Sequence, residues 1–293
     1  MDLDLDVQYS PSHWSKRYSK ELVVSKHVEI VSKVSKLVKE SIPYETISYG
    51  PEETSQVDIY GTSLSKDSPI FVYIHGGYWQ ELNKDISNYP VLPLVESGIR
   101  VFVPDYSLAP EASVSDIVEQ IKRLGEYVLK GAAESGSRSV WFGGHSAGAH
   151  LAASLMNEKW FKQFDRKVQK IFRGLVLISG IYDLVPIVHT YVNEPLKLDE
   201  AEAIALSPIN KDLQWFNVLM LKQDFKVLLA VADNDSPSFK NQTSAYEKFL
   251  KTQNMTTELL NLKGMDHFDV VENLSEKAYP LTVSIINLML KYK

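Results

Sequence analysis

Apolar residues recur along this chain in short unbroken runs. QVDIY (56–60), IFVYIH (70–75), RVFVP (100–104), SVWFGG (139–144), GLVLIS (174–179), KVLLAV (226–231) and TELLNL (257–262) each have the length and composition of a buried strand. Between most of them the apolar positions switch to helical spacing. The clearest helix begins at Ser113, where Ser-x-x-Asp116 makes a capping box and Ile117, Ile121, Leu124 and Val128 form the buried stripe. Near the N-terminus a helix is expected over residues 14–40. It would carry Val24, Val28, Val31, Val34 and Val38 on its inner side and Lys26, Lys33, Lys36 and Glu40 on a solvated face. Strands alternating with helices predict an α/β fold, a mostly parallel central sheet with helices on both faces. Residues 181–210, with Pro186, Pro195 and Pro208, break the alternation and are expected to form a small insertion above the sheet. No repeat, low-complexity tract or Pro/Gly/Ser linker divides the chain. One domain over 1–293 is therefore expected, with a helical extension at about 14–40.

Composition narrows the classes of function. A chain of 293 residues with 44% hydrophobic content can bury a large core. Its formal net charge of -6 argues against broad attraction to nucleic acid or to an anionic membrane. No apolar stretch approaches the length of a membrane span. With no cysteine, disulfides, thiol catalysis and Cys-based metal sites are excluded. The opening MDLDLDVQYS lacks the basic and apolar regions of a secretory signal, so a cytoplasmic location is expected.

The chemistry is concentrated where strands end. Gly144-His145-Ser146-Ala147-Gly148 lies between a predicted strand and the small-residue run AHLAASLM. This is G-x-S-x-G in strand–turn–helix context, an arrangement that exposes a serine oxygen on a strained turn. Serine is a weak nucleophile at its free pKa, so a carboxylate and then a histidine should follow it in the chain. KVLLAV runs into Asp233-Asn234-Asp235, and TELLNL runs into Lys263-Gly264-Met265-Asp266-His267. Both carboxylates sit just past a strand's carboxyl end, where open α/β sheets assemble their sites. His267 is the best base among seven histidines; His13 and His27 belong to the N-terminal region, and His145 and His150 flank the serine. The spacing of His145 and His150 lacks the His-Glu-x-x-His pattern, and neither a catalytic metal nor a cofactor is expected. His75-Gly76-Gly77-Tyr78-Trp79 follows another strand. Its paired glycines suit a loop whose backbone N–H groups, with that of Ala147, would hold an oxyanion developing on Ser146. His75 is expected to brace that loop.

Together these residues resemble the α/β-hydrolase superfamily, in particular its hormone-sensitive-lipase-like branch, through HGGYW and through DYSLAPE (105–111). The segments HGGYW, GGHSAGAH, SGIYDLVPIVHTYVNEP, DNDSPSF and HFDVVENL further resemble the kynurenine formamidase (arylformamidase) family. That resemblance implies an α/β-hydrolase fold and hydrolysis of N-formyl-L-kynurenine, a small-molecule substrate, to L-kynurenine and formate. It places the triad acid on Asp235, with Ala232 where the family pattern has glycine, and leaves Asp233 as a turn residue. Tyr78 stands where related esterases often carry a third small residue. Beside the oxyanion loop, Trp79 is expected to fill the acyl space or pack on the substrate ring. The 181–210 insertion offers His189, Tyr191 and Asn193 to the amino-acid end of the substrate, although Tyr191 reads equally well as packing the insertion onto the sheet. The assembly state is open between monomer and homodimer. A carboxylesterase of the same fold is the competing activity. A binding-only protein, like the plant gibberellin receptors of this branch, would lack part of the triad, and here every member has a candidate.

Overall fold

The continuous apolar runs become the middle of one sheet. The structure is a computed structural model that describes residues 4–137, 139–216 and 225–291. Its strands are β1 (Tyr44–Ser48), β2 (Gln56–Tyr60), β3 (Ile70–Ile74), β4 (Arg100–Pro104), β5 (Val140–His145), β6 (Phe172–Ile178), β7 (Lys226–Ala232) and β8 (Thr256–Leu262). They lie in the order β1-β2-β4-β3-β5-β6-β7-β8. β1 pairs with β2 and β2 with β4 antiparallel, while every other pairing is parallel. Successive residues of a strand point to opposite faces. In β3, Val72 and Ile74 accordingly join one apolar core, and Phe71 and Tyr73 join the core on the other face. β1 has no apolar run to announce it, because YETIS is an edge strand with four of its five residues exposed.

Two expectations about helices need correction. The N-terminal helix spans Val23–Ser41 and does not begin at 14. Ahead of it the chain is laid over the C-terminal part of the fold, where Ser15 and Arg17 bond to Asp266. Its buried stripe is Val23, His27, Val31, Ser35 and Val38, whereas Val24 is 42% exposed. Apolar spacing alone selected the neighbouring stripe, because two positions on the inner face are polar and have partners. Ser35 Oγ accepts from the Asn88 N–H at 3.0 Å, and His27 Nδ1 meets Glu272 Oε1 at 2.9 Å. The helix after Ser113 matches its pattern: it spans Val114–Ser135 with the capping box formed. Residues 181–210 follow β6 and hold short helical turns at Val185–His189, Asn193–Leu196, Glu200–Leu206 and Pro208–Asn210. Among the described residues no helix is long and apolar enough to cross a membrane.

Candidate active site

At the end of β5 the chain must reverse into the helix Ala147–Ala153 within one residue. Ser146 makes that reversal at φ 54° and ψ -117°, a region a side chain rarely occupies. Its N–H is held by the Ile178 carbonyl at 2.9 Å. Close approach explains the small residues around it. A Cβ on Gly148 would stand 2.1 Å from the Ile74 oxygen, and one on Gly144 would stand 2.5 Å from the same atom.

Past β7, Asp235 is buried at the foot of the helix Pro237–Thr252, and its Oδ1 accepts the Ser236 N–H at 3.0 Å. Past β8, Asp266 shapes the loop that carries His267, its Oδ1 accepting the N–H groups of Phe268 and Asp269 at 2.9 Å each. The loop delivers His267 Nδ1 to both carboxylate oxygens of Asp235, at 3.1 and 3.0 Å. A carboxylate can only accept, so Nδ1 carries the proton and Nε2 is the nitrogen left for base chemistry. Asp233 is exposed and lies in the turn, where its Oδ2 faces the Gly264 N–H at 3.4 Å. Ser146 and His267 line one pocket. The His145 ring packs 4.4 Å from that of His267. Burial, reinforced by His267, pushes the pKa of His145 well below the ordinary histidine range, so this second imidazole stays neutral.

The loop after β3 is strained at three consecutive residues: Gly77, Tyr78 and Trp79 have φ of 97°, 52° and 61°. A side chain on Gly77 would meet the Glu81 oxygen at 2.2 Å, and one on Gly76 would meet the His145 oxygen at 2.8 Å. Gly76 thus packs its bare backbone against the elbow, and Gly77 packs against its own turn. The DYSLAPE segment braces this arrangement. Tyr106 stacks on His75 at 4.2 Å, its hydroxyl donates to the His75 carbonyl at 2.9 Å, and the Ala109 N–H donates to the Trp79 carbonyl at 2.8 Å.

The residues proposed for substrate contact divide. Tyr78 and Tyr191 line the pocket; the Tyr78 hydroxyl donates to the Tyr9 carbonyl at 2.6 Å, and that of Tyr191 accepts from Ser10 Oγ at 3.0 Å. Trp79 does not line it. It is fully buried beneath the loop, where Nε1 donates to His150 Nδ1 at 3.2 Å. His150 in turn meets the Leu206 carbonyl at 3.0 Å through Nε2, and burial lowers its pKa to about 4. Asn193 is taken up by its own turn, accepting from the Leu198 N–H at 2.8 Å and donating to the Leu198 and Val188 carbonyls. His189 is exposed and outside the pocket wall.

The missed wall is N-terminal, made by Pro11, Ser12, Val24 and His27. No motif marks these residues; their segment is tied down by Arg17, which pairs with Asp266, Asp269 and Glu272 at 2.9, 3.2 and 2.7 Å, and by the bonds of Tyr9 and Ser10 to Tyr78 and Tyr191. Among the described residues no group of three or more His, Asp or Glu is placed to hold a metal ion.

Residues 71–270 match the family described as having the alpha/beta hydrolase fold. The chain is 37% identical to the kynurenine formamidase of Danio rerio over 98% of its own length and 96% of that protein. It is 30% identical to the kynurenine formamidase of Drosophila melanogaster, over 92% and 91% of the two chains. Among solved structures, a hyperthermophilic esterase from Pyrobaculum calidifontis shares the fold with a TM-score of 0.73 at 19% identity, over 93% of this chain and 94% of that one.

Proposed function

The chain belongs to the kynurenine formamidase family of α/β hydrolases, and from that premise we propose that it hydrolyses N-formyl-L-kynurenine to L-kynurenine and formate with Ser146, His267 and Asp235 as its triad. Ser146 Oγ attacks the formyl carbon while His267 Nε2 takes the hydroxyl proton. The negative charge moves to the formyl oxygen, where the N–H groups of Ala147, Gly76 and Gly77 stabilise it; one such donor is typically worth about 2.7–4 kcal/mol. Collapse of the tetrahedral intermediate breaks the C–N bond, and His267 returns its proton to the departing aryl amine. A water molecule then loses a proton to His267 and attacks the formyl ester, releasing formate and restoring Ser146. Asp235 holds the ring in the tautomer this cycle needs and stabilises it when charged. Activation of the carbonyl by backbone N–H groups leaves no step that calls for a metal.

The observation that supports this reading most is the two-oxygen contact of Asp235 with His267 Nδ1, made in the pocket that holds the strained Ser146. The test is turnover of N-formyl-L-kynurenine and of a short-chain aryl ester, measured side by side on the wild type and on Ser146→Ala. The formamide should be the preferred substrate by kcat/KM, and the variant should lose at least about 10³-fold on it, because the triad acts as a unit. Cleavage of the ester alone would replace this reading with an esterase, and a variant retaining a few per cent of activity would remove Ser146 from the mechanism.

A further inference from the structure

The pocket around Ser146 is walled by hydroxyl, amide, imidazole and carboxylate groups. Its lining includes Glu81 and His27, and no lysine or arginine. Glu81 is exposed on the turn that follows the oxyanion loop. Its backbone N–H is fixed to the Gly77 carbonyl at 2.9 Å, and its carboxylate pairs with no cation among the described residues. His27 is 5% exposed and comes from the N-terminal helix. Its Nδ1 meets Glu272 Oε1 at 2.9 Å, and Arg17 Nη1 holds the other oxygen of that carboxylate at 2.7 Å. An ionised carboxylate accepts and does not donate, so Nδ1 of His27 carries the proton of this bond and Nε2 is the ring's other polar atom. Neutral His145 adds no positive charge. The wall thus offers one carboxylate and no lysine or arginine to pair with an anion, which meets only neutral donors such as the hydroxyls of Ser12 and Tyr191.

We propose that Glu81, assisted by His27 Nε2, recognises the α-ammonium group of the substrate, so that the enzyme selects formamides whose aryl ketone side chain ends in an amine and depends far less on the carboxylate beside it. This rests on the formamidase reading of the site. A charged carboxylate facing an ammonium is the stronger class of hydrogen bond, and the exposed rim keeps its cost of desolvation low.

The experiment compares three substrates: N-formyl-L-kynurenine, its deaminated analogue, which keeps the carboxylate, and its decarboxylated analogue, which keeps the amine. For the wild type, kcat/KM should fall about tenfold or more without the amine, the effect of roughly one charge-assisted bond. It should stay within about threefold without the carboxylate. Glu81→Gln should raise KM for N-formyl-L-kynurenine about tenfold, leave kcat within twofold, and change nothing on the deaminated analogue. His27→Asn, which keeps a donor for Glu272 and removes Nε2, should show the same pattern more weakly. A tenfold fall on removing the carboxylate, with none on removing the amine, overturns the proposal. So does a Glu81 variant that loses equally on the two analogues. Wild-type protein that cleaves an aryl ester and none of the three formamides would overturn the formamidase reading itself, and this inference with it.

Discussion

Asp233 and Asp235 are two residues apart, and one turn of backbone gives them opposite environments. Asp235 is 1% exposed with His267 on both oxygens, while Asp233 faces solvent. Asp235→Asn should therefore lower kcat by about 10⁴, since it puts a donor against Nδ1 and favours the wrong tautomer, whereas Asp233→Asn should leave kcat within a few fold. Matched steady-state assays decide it, and the reverse ranking would move the acid to Asp233. Trp79 and His150 make a second residue-scale case. Removing the indole N–H with Trp79→Phe leaves His150 Nδ1 buried without a donor, which should cost about 1–3 kcal/mol in denaturant unfolding. His150 also makes stability depend on pH in a known direction. Its folded pKa is depressed to about 4, so the folded state refuses a proton that the unfolded chain accepts below about 6.5. That contribution is intact above about pH 6.5 and is lost as pH falls towards 4. The Tm advantage of wild type over His150→Gln should shrink across that interval, and a difference independent of pH would show that the imidazole does not titrate in this way.

At the scale of elements, the elbow and the long helix after β4 tolerate change very differently. Gly148 packs its backbone against the carbonyls of Ile74, which ends the central strand β3, and of His75 just after it. Gly148→Ala should destabilise the fold by about 1–3 kcal/mol or more by overpacking and lower kcat with it, because the same shift displaces Ser146. Ser113 caps Val114–Ser135 from an exposed position outside the pocket that holds Ser146 and His267. Ser113→Ala should cost about 1 kcal/mol in stability and leave kcat/KM unchanged. If both variants altered activity in proportion to stability, the elbow would have no special role in placing the serine.

For the whole molecule, the decisive contact joins its two ends. Arg17 gathers Asp266, Asp269 and Glu272, and in doing so closes the N-terminal segment over the pocket and steadies the loop of His267. Burial tends to raise the pKa of Asp266, but hydrogen bonds from Arg17, Ser15 and two backbone N–H groups outweigh it and hold this carboxyl low. Burial, and then the charge of Asp266, push Asp269 up. Arg17→Met would leave these carboxylates without their cation. The expected loss is on the order of 2–4 kcal/mol, at the lower side for a buried pair because the Arg17 side chain keeps 27% of its surface exposed. Unpaired carboxylates that repel one another bind protons more readily in the folded state than in the unfolded one, so stability falls as pH rises through their folded pKa values. The variant should consequently be weaker at pH 8 than at pH 5 relative to wild type, as read from denaturant midpoints. A penalty that did not depend on pH would mean that Arg17 acts by packing alone.

Much of this protein was legible along the chain because the relevant forces are local. Seven of the eight strands follow from apolar runs that need burial on both faces, and the helix after Ser113 follows from its cap and stripe. The elbow around Ser146 and the loop at Gly76-Gly77 follow from backbone shapes and approaches that only certain residues allow. The order serine, carboxylate, histidine was expected from the elbow motif, and the choice of Asp235 over Asp233 came from the family resemblance. Tertiary structure decided what depends on partners distant in sequence. His27 and Ser35 lie on the buried face of their helix because Glu272 and Asn88 satisfy them, and no periodicity can foresee a partner 245 residues away. Trp79 and Asn193 looked available for a ligand, yet their polar groups are taken up by His150 in one case and by a local turn in the other. The N-terminal wall is held by contacts with residues far along the chain, among them one guanidinium drawn to three carboxylates and the bonds of Tyr9 and Ser10 to Tyr78 and Tyr191, which only the folded chain brings within reach.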